Sequence, residues 1–550
     1  MQKNNKVLQL ILKIKNNFGM LILLSTILTF SIIIGANEKG LRVLPISILM
    51  SVSLLYLIVL KIKNKEKSIL FKSKVDYFVL GFMLTTTLPV IFRTYASYSD
   101  TVEFMMKYFF IYTIYVLARN VIKDKKDIEY VIVTTIIGSF FSVIFFYDYF
   151  NTQYLKKFMK WIDIIYNKNT MFFGTFGYAN TEAIYLTLCI FFAMHRFKFN
   201  KNKILKVLDV AYIFFALYLV WATEARAVVL LIAFTFFVMF AVKFRKQIVK
   251  HKIKVIVGIC LLIIFASIFL SMALKVSKPI VKIDKNLKSS IKYKFKQNQT
   301  YTLEIELKTV YNGELEEFKD SSFVIKISEI RGCFFGKELF AQDLGEFNGI
   351  YKIEFTPTVD TDSVRVKIDN KYKGIIKVDR CFINGKEQII NYKYIPNDLA
   401  YLFSGYSISG KSIPQRIQMY KDCIKMIKDS PIIGHGGNSW KNLSLAYAEY
   451  KGALKESHSY FFELLISYGI IGCIAFYAFI IYFFVKIFKQ CIEHKEKREE
   501  KLFIFLGLCL ILMHSLIDFE MSFMLIQLMV YICVAMLLRD EQEENCNINI

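Results

Sequence analysis

Three basic side chains stand out at the ends of apolar or amphipathic segments. Arg226 occupies a tight turn between two apolar helices, Arg416 opens an amphipathic segment, and His458 precedes a long apolar run. An arginine placed as Arg226 is, beside apolar helices, is costly unless it has a task. A guanidinium binds phosphate oxygens in pairs and stays protonated, whereas an imidazole can accept a proton near neutral pH. The three residues predict a site that holds an anion and removes a proton.

Each residue also has a simpler interpretation. Arg226 could extend to lipid headgroups, Arg416 could be a surface charge, and His458 could be an ordinary interfacial residue. We interpret His435 as a turn residue and not as the base. Glu463, one helical turn after His458, could orient the imidazole.

Composition indicates that most of the chain lies in lipid. Of the 550 residues, 55% are hydrophobic and 16% aromatic, only seven are proline, and the mean hydropathy is +0.40. A chain of this composition cannot hide its apolar surface in water. The net charge is +25, and the basic residues cluster between apolar segments. The charge therefore indicates a bilayer surface and not a nucleic-acid partner.

The apolar segments predict an all-α polytopic membrane protein with about twelve transmembrane helices. Their approximate cores are Phe18–Ala36, Val43–Leu60, Tyr77–Phe92, Tyr108–Ala118, Tyr130–Tyr147, Ala183–Met194, Val210–Thr223, Ala227–Val242, Val255–Leu274, Leu464–Val485, Leu502–Ile517 and Met521–Leu538. Three of them are too short for a full crossing: Tyr108–Ala118, Ala183–Met194 and Val210–Thr223. We therefore expect flanking polar residues, such as Glu103, Lys107 and Glu182, to face the bundle interior.

Loop charge predicts the orientation. The loops expected inside carry 32 Lys and Arg, and the short loops expected outside carry 8. This asymmetry places the N- and C-termini in the cytoplasm and the large loop 275–458 outside the cell. The expected location is therefore the cell membrane, with multiple passes.

The domain division follows the same pattern. Residues 1–274 hold membrane helices 1–9 and residues 459–540 hold helices 10–12, followed by a cytoplasmic tail at 541–550. Residues 278–395 alternate apolar and polar residues in about eight short strands, which predicts an inserted extracellular β-sandwich. Its ending resembles jelly-roll carbohydrate-binding modules, although a packed spacer without a ligand is an equally open interpretation.

Residues 400–458 form the remaining outer loop, and several motifs lie in it or near it. Arg416 is followed by Asp429-Ser-Pro-Ile-Ile-Gly434-His-Gly436, then His458-Ser-Tyr and Gly469-Ile-Ile-Gly472; Gly174-Thr-Phe-Gly-Tyr-Ala-Asn180 comes earlier and His514-Ser-Leu-Ile-Asp518 later. In this order the motifs resemble the O-antigen ligase and O-antigen polymerase family. The sequence departs from the family pattern at Ala225-Arg226-Ala227, usually Ser-Arg-Gly, and at Ser459, usually Asn.

The resemblance implies a membrane glycosyltransferase of cell-envelope polysaccharide biosynthesis. The donor would be an undecaprenyl-diphosphate-linked glycan, and the acceptor a glycan, lipid or wall polymer. His458 would act as the base, with Arg226 and Arg416 as catalytic, substrate-binding groups at the diphosphate. Gly434, Gly436 and Asn180 would also contact substrate. The two arginines can replace a divalent metal, so no metal or other cofactor is expected.

Two matters stay open at the level of sequence. Polymerase and ligase cannot be separated by these motifs. The alternative to an enzyme is a 12-helix lipid-glycan transporter or flippase. Many transporters contain two similar halves, but no obvious repeat relates residues 1–274 to 400–550. A sugar sensor is a third alternative, and it would need a cytoplasmic output domain. We interpret His514 and Asp518 as a structural i,i+4 pair.

Overall fold

The computed structural model describes residues 18–32, 39–64, 69–150, 174–244, 264–265, 267–276, 286–310, 323–331, 334–344, 348–370, 375–389, 393–394, 412–447 and 456–540. The chain divides into two compact units, each considered by itself below. One unit comprises residues 1–243, 422–447 and 453–550, and the other comprises residues 244–421 and 448–452.

The first unit is a helical bundle. Before the β-rich segment, its helices are α1 (Phe18–Ile32), α2 (Lys39–Asn64), α3 (Lys74–Thr85), α4 (Leu88–Ile91), α5 (Tyr98–Val121), α6 (Lys125–Phe150), α7 (Ala179–Phe199), α8 (Lys203–Ala222) and α9 (Arg226–Lys243). After that segment come α10 (Ser412–Asp429), α11 (Ser439–Tyr447), α12 (Tyr460–Glu493), α13 (Lys495–Ser515) and α14 (Met524–Leu537). The first residues of α10, up to Lys421, belong to the other unit. Among the described residues, seven helices are long and apolar enough to cross a membrane. The protein is therefore a multi-pass membrane protein, while the full set of about twelve spans and the orientation stay predictions.

The observed helices divide one predicted core and extend another. The predicted helix Tyr77–Phe92 is divided into α3 and α4 by a turn at Thr86. The predicted core Tyr108–Ala118 is part of the longer α5, because buried Lys107 finds a partner: its Nζ donates to the Ser522 carbonyl at 2.5 Å. The predicted helix Val255–Leu274 lies largely outside the described residues.

A buried carboxylate fixes the entry of α3. Asp76 accepts the backbone N–H of Ser73 at 2.6 Å, as in a capping box. The same carboxylate accepts the Tyr115 hydroxyl at 2.5 Å and the Arg119 guanidinium at 3.3 Å from α5. One side chain thus closes a helix end and joins two helices of the bundle.

The second unit contains the β-rich segment. Its strands are β1 (Asn286–Phe295), β2 (Tyr301–Val310), β3 (Phe323–Arg331), β4 (Phe334–Leu344), β5 (Asn348–Phe355), β6 (Thr361–Asn370), β7 (Ile375–Ile383) and β8 (Lys386–Glu387). They form two four-stranded sheets, in the orders β1-β6-β3-β4 and β5-β2-β7-β8, with every pair antiparallel.

The alternating pattern of these strands produces a shared core between the two sheets. In β2, Tyr301, Leu303, Ile305 and Leu307 are buried, whereas the residues between them are more exposed. Residues of β1, β3 and β6 from the other sheet belong to the same hydrophobic cluster. The extracellular position of this unit stays a prediction.

Candidate active site

The long helix α12 is broken at Gly469, and a glycine-rich turn docks on the break. Gly469 has φ 61° and ψ −165°, far from helical values. Around it, the Ile466 and Ser467 carbonyls accept the N–H groups of His435 at 2.7 Å and Gly436 at 2.9 Å. In return, Ile470 N–H donates to the Pro431 carbonyl at 2.9 Å. The backbone groups that the break releases are thus satisfied by residues 431–436, as lipid surroundings require.

The glycines permit this close approach. A Cβ on Gly434 would lie 2.5 Å from the Ser467 carbonyl carbon, and one on Gly469 would overlap the Ile432 backbone. Both residues have positive φ, at 80° and 61°. The Asp429–Gly436 and Gly469–Gly472 motifs therefore meet at one backbone junction, which holds residues 431–436 against α12.

His458 is paired with a buried carboxylate from a distant stretch of chain. Its Nδ1 lies 3.1 Å from Oδ1 of Asp518, which is fully buried, and the imidazole is 19% exposed. If Nδ1–H donates to the carboxylate, the lone pair of the neutral ring is on Nε2. A base with its second nitrogen held by a carboxylate is the arrangement that orients an imidazole for proton transfer.

Two residues of the Gly174–Asn180 motif hold the same carboxylate. The Tyr178 hydroxyl donates to Asp518 at 3.0 Å, and the Asn180 amide donates at 2.5 Å. The Phe519 N–H adds a bond at 2.9 Å. Asp518 is therefore held in place by several hydrogen-bond donors, and the predicted residues Asn180 and His458 meet through it.

A second polar network fixes the start of α7. Glu182 is fully buried and accepts the Ser142 hydroxyl of α6 at 2.7 Å. Thr175 N–H donates to the same Ser142 oxygen at 3.1 Å, and the Thr175 hydroxyl donates to the Ser31 carbonyl at 3.0 Å. These bonds position the loop that presents Tyr178 and Asn180.

The backbone at His458 is unusual and well anchored. His458 has φ 51°, a left-handed conformation that non-glycine residues seldom adopt and that often marks functional sites. The Ser459 hydroxyl donates to the Leu516 carbonyl at 2.8 Å, and Tyr460 N–H donates to the Asp518 carbonyl at 3.0 Å. The Glu463 carboxylate, suggested from sequence as the orienting group, accepts the Ser457 hydroxyl at 3.1 Å, whereas Asp518 lies 3.1 Å from the His458 ring.

A second histidine and carboxylate lie directly behind Asp518. His514 Nδ1 is 2.8 Å from Glu520 Oε1, and both residues are fully buried. Burial raises the pKa of the Glu520 carboxyl, against the opposing charge of His514. Potential ligand atoms of His514, Asp518 and Glu520 all lie within 4.8 Å of one another, so this group could hold a metal ion.

The remaining predicted residues have different placements. Arg226 is the exposed first residue of α9, after a turn in which Glu224 has φ 57°. Arg416 is on α10, in the unit that comprises residues 244–421. Gly434 and Gly436 lie in the turn docked on α12, and His435 Nε2 is 2.9 Å from the Met426 carbonyl, consistent with a turn residue. A single site that joins Arg226, Arg416 and His458 stays a prediction.

Sequence reasoning missed the partner of His458. Asp518 was assigned to a pair with His514, but its carboxylate bonds His458 across 60 positions, and His514 bonds Glu520. Tyr178 carried no predicted role. Both Asp518 and Tyr178 lie in motifs that resemble the family, so those motifs contained the information that would have pointed to them.

The lengths and composition of the helices show that this is a multi-pass membrane protein. A polar site lies between the ends of its helices. Residues 382–477 match the family model described as O-antigen ligase, which supports the resemblance to the O-antigen ligase and polymerase family. The family implies ligase- or polymerase-type activity in the handling of membrane-linked glycans. The matched stretch includes Arg416, Gly434, Gly436 and His458. Neither the curated proteins nor the solved structures contain a match.

Proposed function

We propose that this protein transfers or polymerises an undecaprenyl-diphosphate-linked glycan onto an acceptor hydroxyl at the outer face of the cytoplasmic membrane. The observation that carries the proposal is the His458–Asp518 pair, held by Tyr178 and Asn180. His458 lies within the stretch that matches the O-antigen ligase family.

The first step is proton removal from the acceptor. His458 Nε2 takes the proton of the acceptor hydroxyl as its oxygen attacks the anomeric carbon of the donor sugar. The imidazolium that forms is stabilised by the Asp518 carboxylate at Nδ1. Asp518 remains ionised throughout and acts by orientation and charge.

The lipid diphosphate leaves as the acceptor oxygen attacks. The bond between the anomeric carbon and the phosphate oxygen breaks, and the oxygen keeps the electron pair. Arg226 and Arg416 bind the diphosphate and offset its growing negative charge. Since guanidinium groups supply that charge, the transfer step needs no divalent metal.

A reconstituted reaction tests the proposal. Purified protein in lipid nanodiscs is given labelled undecaprenyl-diphosphate glycan and acceptor, with and without EDTA. We expect transfer of label to the acceptor at equal rates in both conditions. Restoration of activity only by added Mg²⁺ or Mn²⁺ would contradict the mechanism, and transport of donor without a new glycosidic bond would favour a flippase.

The two arginines give a second prediction. Arg226→Ala and Arg416→Ala should each weaken donor binding about 10- to 100-fold, because hydrogen bonds to a charged group contribute about 1.5–3 kcal/mol. Lys in place of either should rescue little, since a point charge lacks the paired donors. Donor affinity is measured with labelled lipid-linked glycan in nanodiscs.

The control for this prediction is Arg380→Ala, which removes an exposed arginine of strand β7. It should bind donor as the wild type does. Lysine variants with wild-type affinity would show that the arginines provide only general positive charge and not paired recognition of phosphate.

A further inference from the structure

We propose that His514, Asp518 and Glu520 form a binding site for a divalent transition-metal ion of the Zn²⁺ type, and that an ion bound there inhibits transfer. The inhibitory part rests on the proposed function, whereas binding does not. The site is distinct from the proposed catalytic step, which uses no metal, but it shares Asp518 with that step.

The distances between the ligand atoms fit one ion. Zn²⁺ binds histidine nitrogen and carboxylate oxygen at about 2.0–2.2 Å, so two of its ligand atoms lie at most about 4 Å apart. The potential ligand atoms of the three residues lie within 4.8 Å of one another, and His514 Nδ1 and Glu520 Oε1 are 2.8 Å apart. Side-chain adjustments of less than about 1 Å bring all three onto one ion.

The ligand types indicate which ion fits. One imidazole and two carboxylates suit Zn²⁺, Fe²⁺ or Mn²⁺, whereas Mg²⁺ and Ca²⁺ prefer oxygen alone. Among these three, Zn²⁺ binds a given site most tightly by the general order of stabilities. Three protein ligands leave a position open for water or substrate.

Burial and an unsatisfied oxygen support the assignment. His514, Asp518 and Glu520 have no exposed surface. Within the described part of the chain, Glu520 Oε2 has no hydrogen-bond partner. A buried carboxylate oxygen without a partner is unfavourable, and coordination of a cation by Glu520 removes that cost.

The site is also tied to the catalytic pair by geometry. His514 lies in the last turn of α13, Asp518 lies in the loop after it, and Glu520 begins the short 3₁₀ turn Glu520–Ser522. Asp518 cannot coordinate an ion with full strength while it accepts His458 at 3.1 Å. Metal binding therefore draws the Asp518 carboxylate away from His458, and the imidazole loses the group that orients it.

Zinc binding is the first measurement. EDTA-treated full-length protein is incubated with Zn²⁺, passed through a desalting column and analysed for retained metal. We expect about one equivalent on the wild type, on His458→Ala and on Glu496→Gln, which makes the same chemical change at an exposed carboxylate. Glu520→Gln and His514→Gln should each retain at least about tenfold less.

Inhibition is the second measurement. Transfer is followed over a Zn²⁺ titration, with each variant compared with its own rate in EDTA. Zn²⁺ should slow the wild type and Glu496→Gln, and the inhibitory concentration should rise at least about tenfold for Glu520→Gln and His514→Gln. Equal zinc retention by the wild type and both site variants, or equal inhibition of them, would overturn the proposal.

The two proposals fail separately. A protein that retains zinc at this site but transfers no glycan in EDTA would remove the proposed function and leave the metal site standing. A protein that transfers glycan in EDTA and retains no zinc would do the reverse.

Discussion

Replacing His458 by asparagine should lower the rate of glycan transfer by about 10²–10⁴-fold, the usual effect of losing a general base. Donor binding should stay close to that of the wild type, because the arginines hold the diphosphate. Asparagine is preferred over alanine because the backbone at His458 has φ 51°, which asparagine tolerates better. The His458→Ala variant, tested beside it, should show the same loss of rate with an added loss of stability.

The comparison is made by single-turnover transfer and by donor binding on the same preparations. His494→Ala removes an exposed histidine between α12 and α13 and should transfer at the wild-type rate. A His458→Asn variant that transfers as fast as the wild type would exclude this imidazole as the base. A variant that loses donor affinity to the same degree would instead assign His458 to the diphosphate.

The membrane character of this protein and its resemblance to the O-antigen ligase family could be predicted from sequence because both depend on local patterns. Apolar length and charge between segments are read directly from neighbouring residues. The inward placement of Lys107 and Glu182 was predictable for the same reason, since a short apolar stretch needs its flanking charges buried. The structure buries both.

The partners of the site residues were harder, because they are set by tertiary contacts. Asp518 and His514 are spaced four apart, which favours a local pair within a helix. The helix α13 ends at Ser515, however, so Asp518 lies in the following loop and faces a different set of partners. A helix end that shifts by one turn changes which side chains can meet, and helix ends are the least predictable part of an element.

The break in α12 was unpredictable for a related reason. The predicted helix core Leu464–Val485 contains Gly469, and a glycine inside such a helix is usually tolerated. Here the break is stabilised by hydrogen bonds from residues 431–436, more than 30 positions earlier. No local pattern contains that information, although Gly434, Gly436 and Gly469 are the residues that allow it.

Gly469→Ala should separate the glycine-rich turn from α12 and destabilise the protein. An alanine at φ 61° and ψ −165° costs about 1–3 kcal/mol in backbone strain. Its Cβ would also overlap the Ile432 backbone, and forced overpacking costs about 1–3 kcal/mol more. Because residues 431–436 stabilise the break, we expect a lower midpoint of thermal denaturation and a strong loss of transfer.

Two further glycines divide this effect into its causes. Gly177 has φ 67° but open space at its Cβ position, so Gly177→Ala reports backbone strain alone. Gly81 lies within α3 without positive φ and also with open space, so Gly81→Ala should be neutral or slightly stabilising. Midpoints in thermal denaturation should therefore fall in the order Gly81→Ala, Gly177→Ala, Gly469→Ala. If Gly469→Ala were no less stable than Gly177→Ala, the close approach to Ile432 would not hold in the membrane, and the docked turn would lose its structural role.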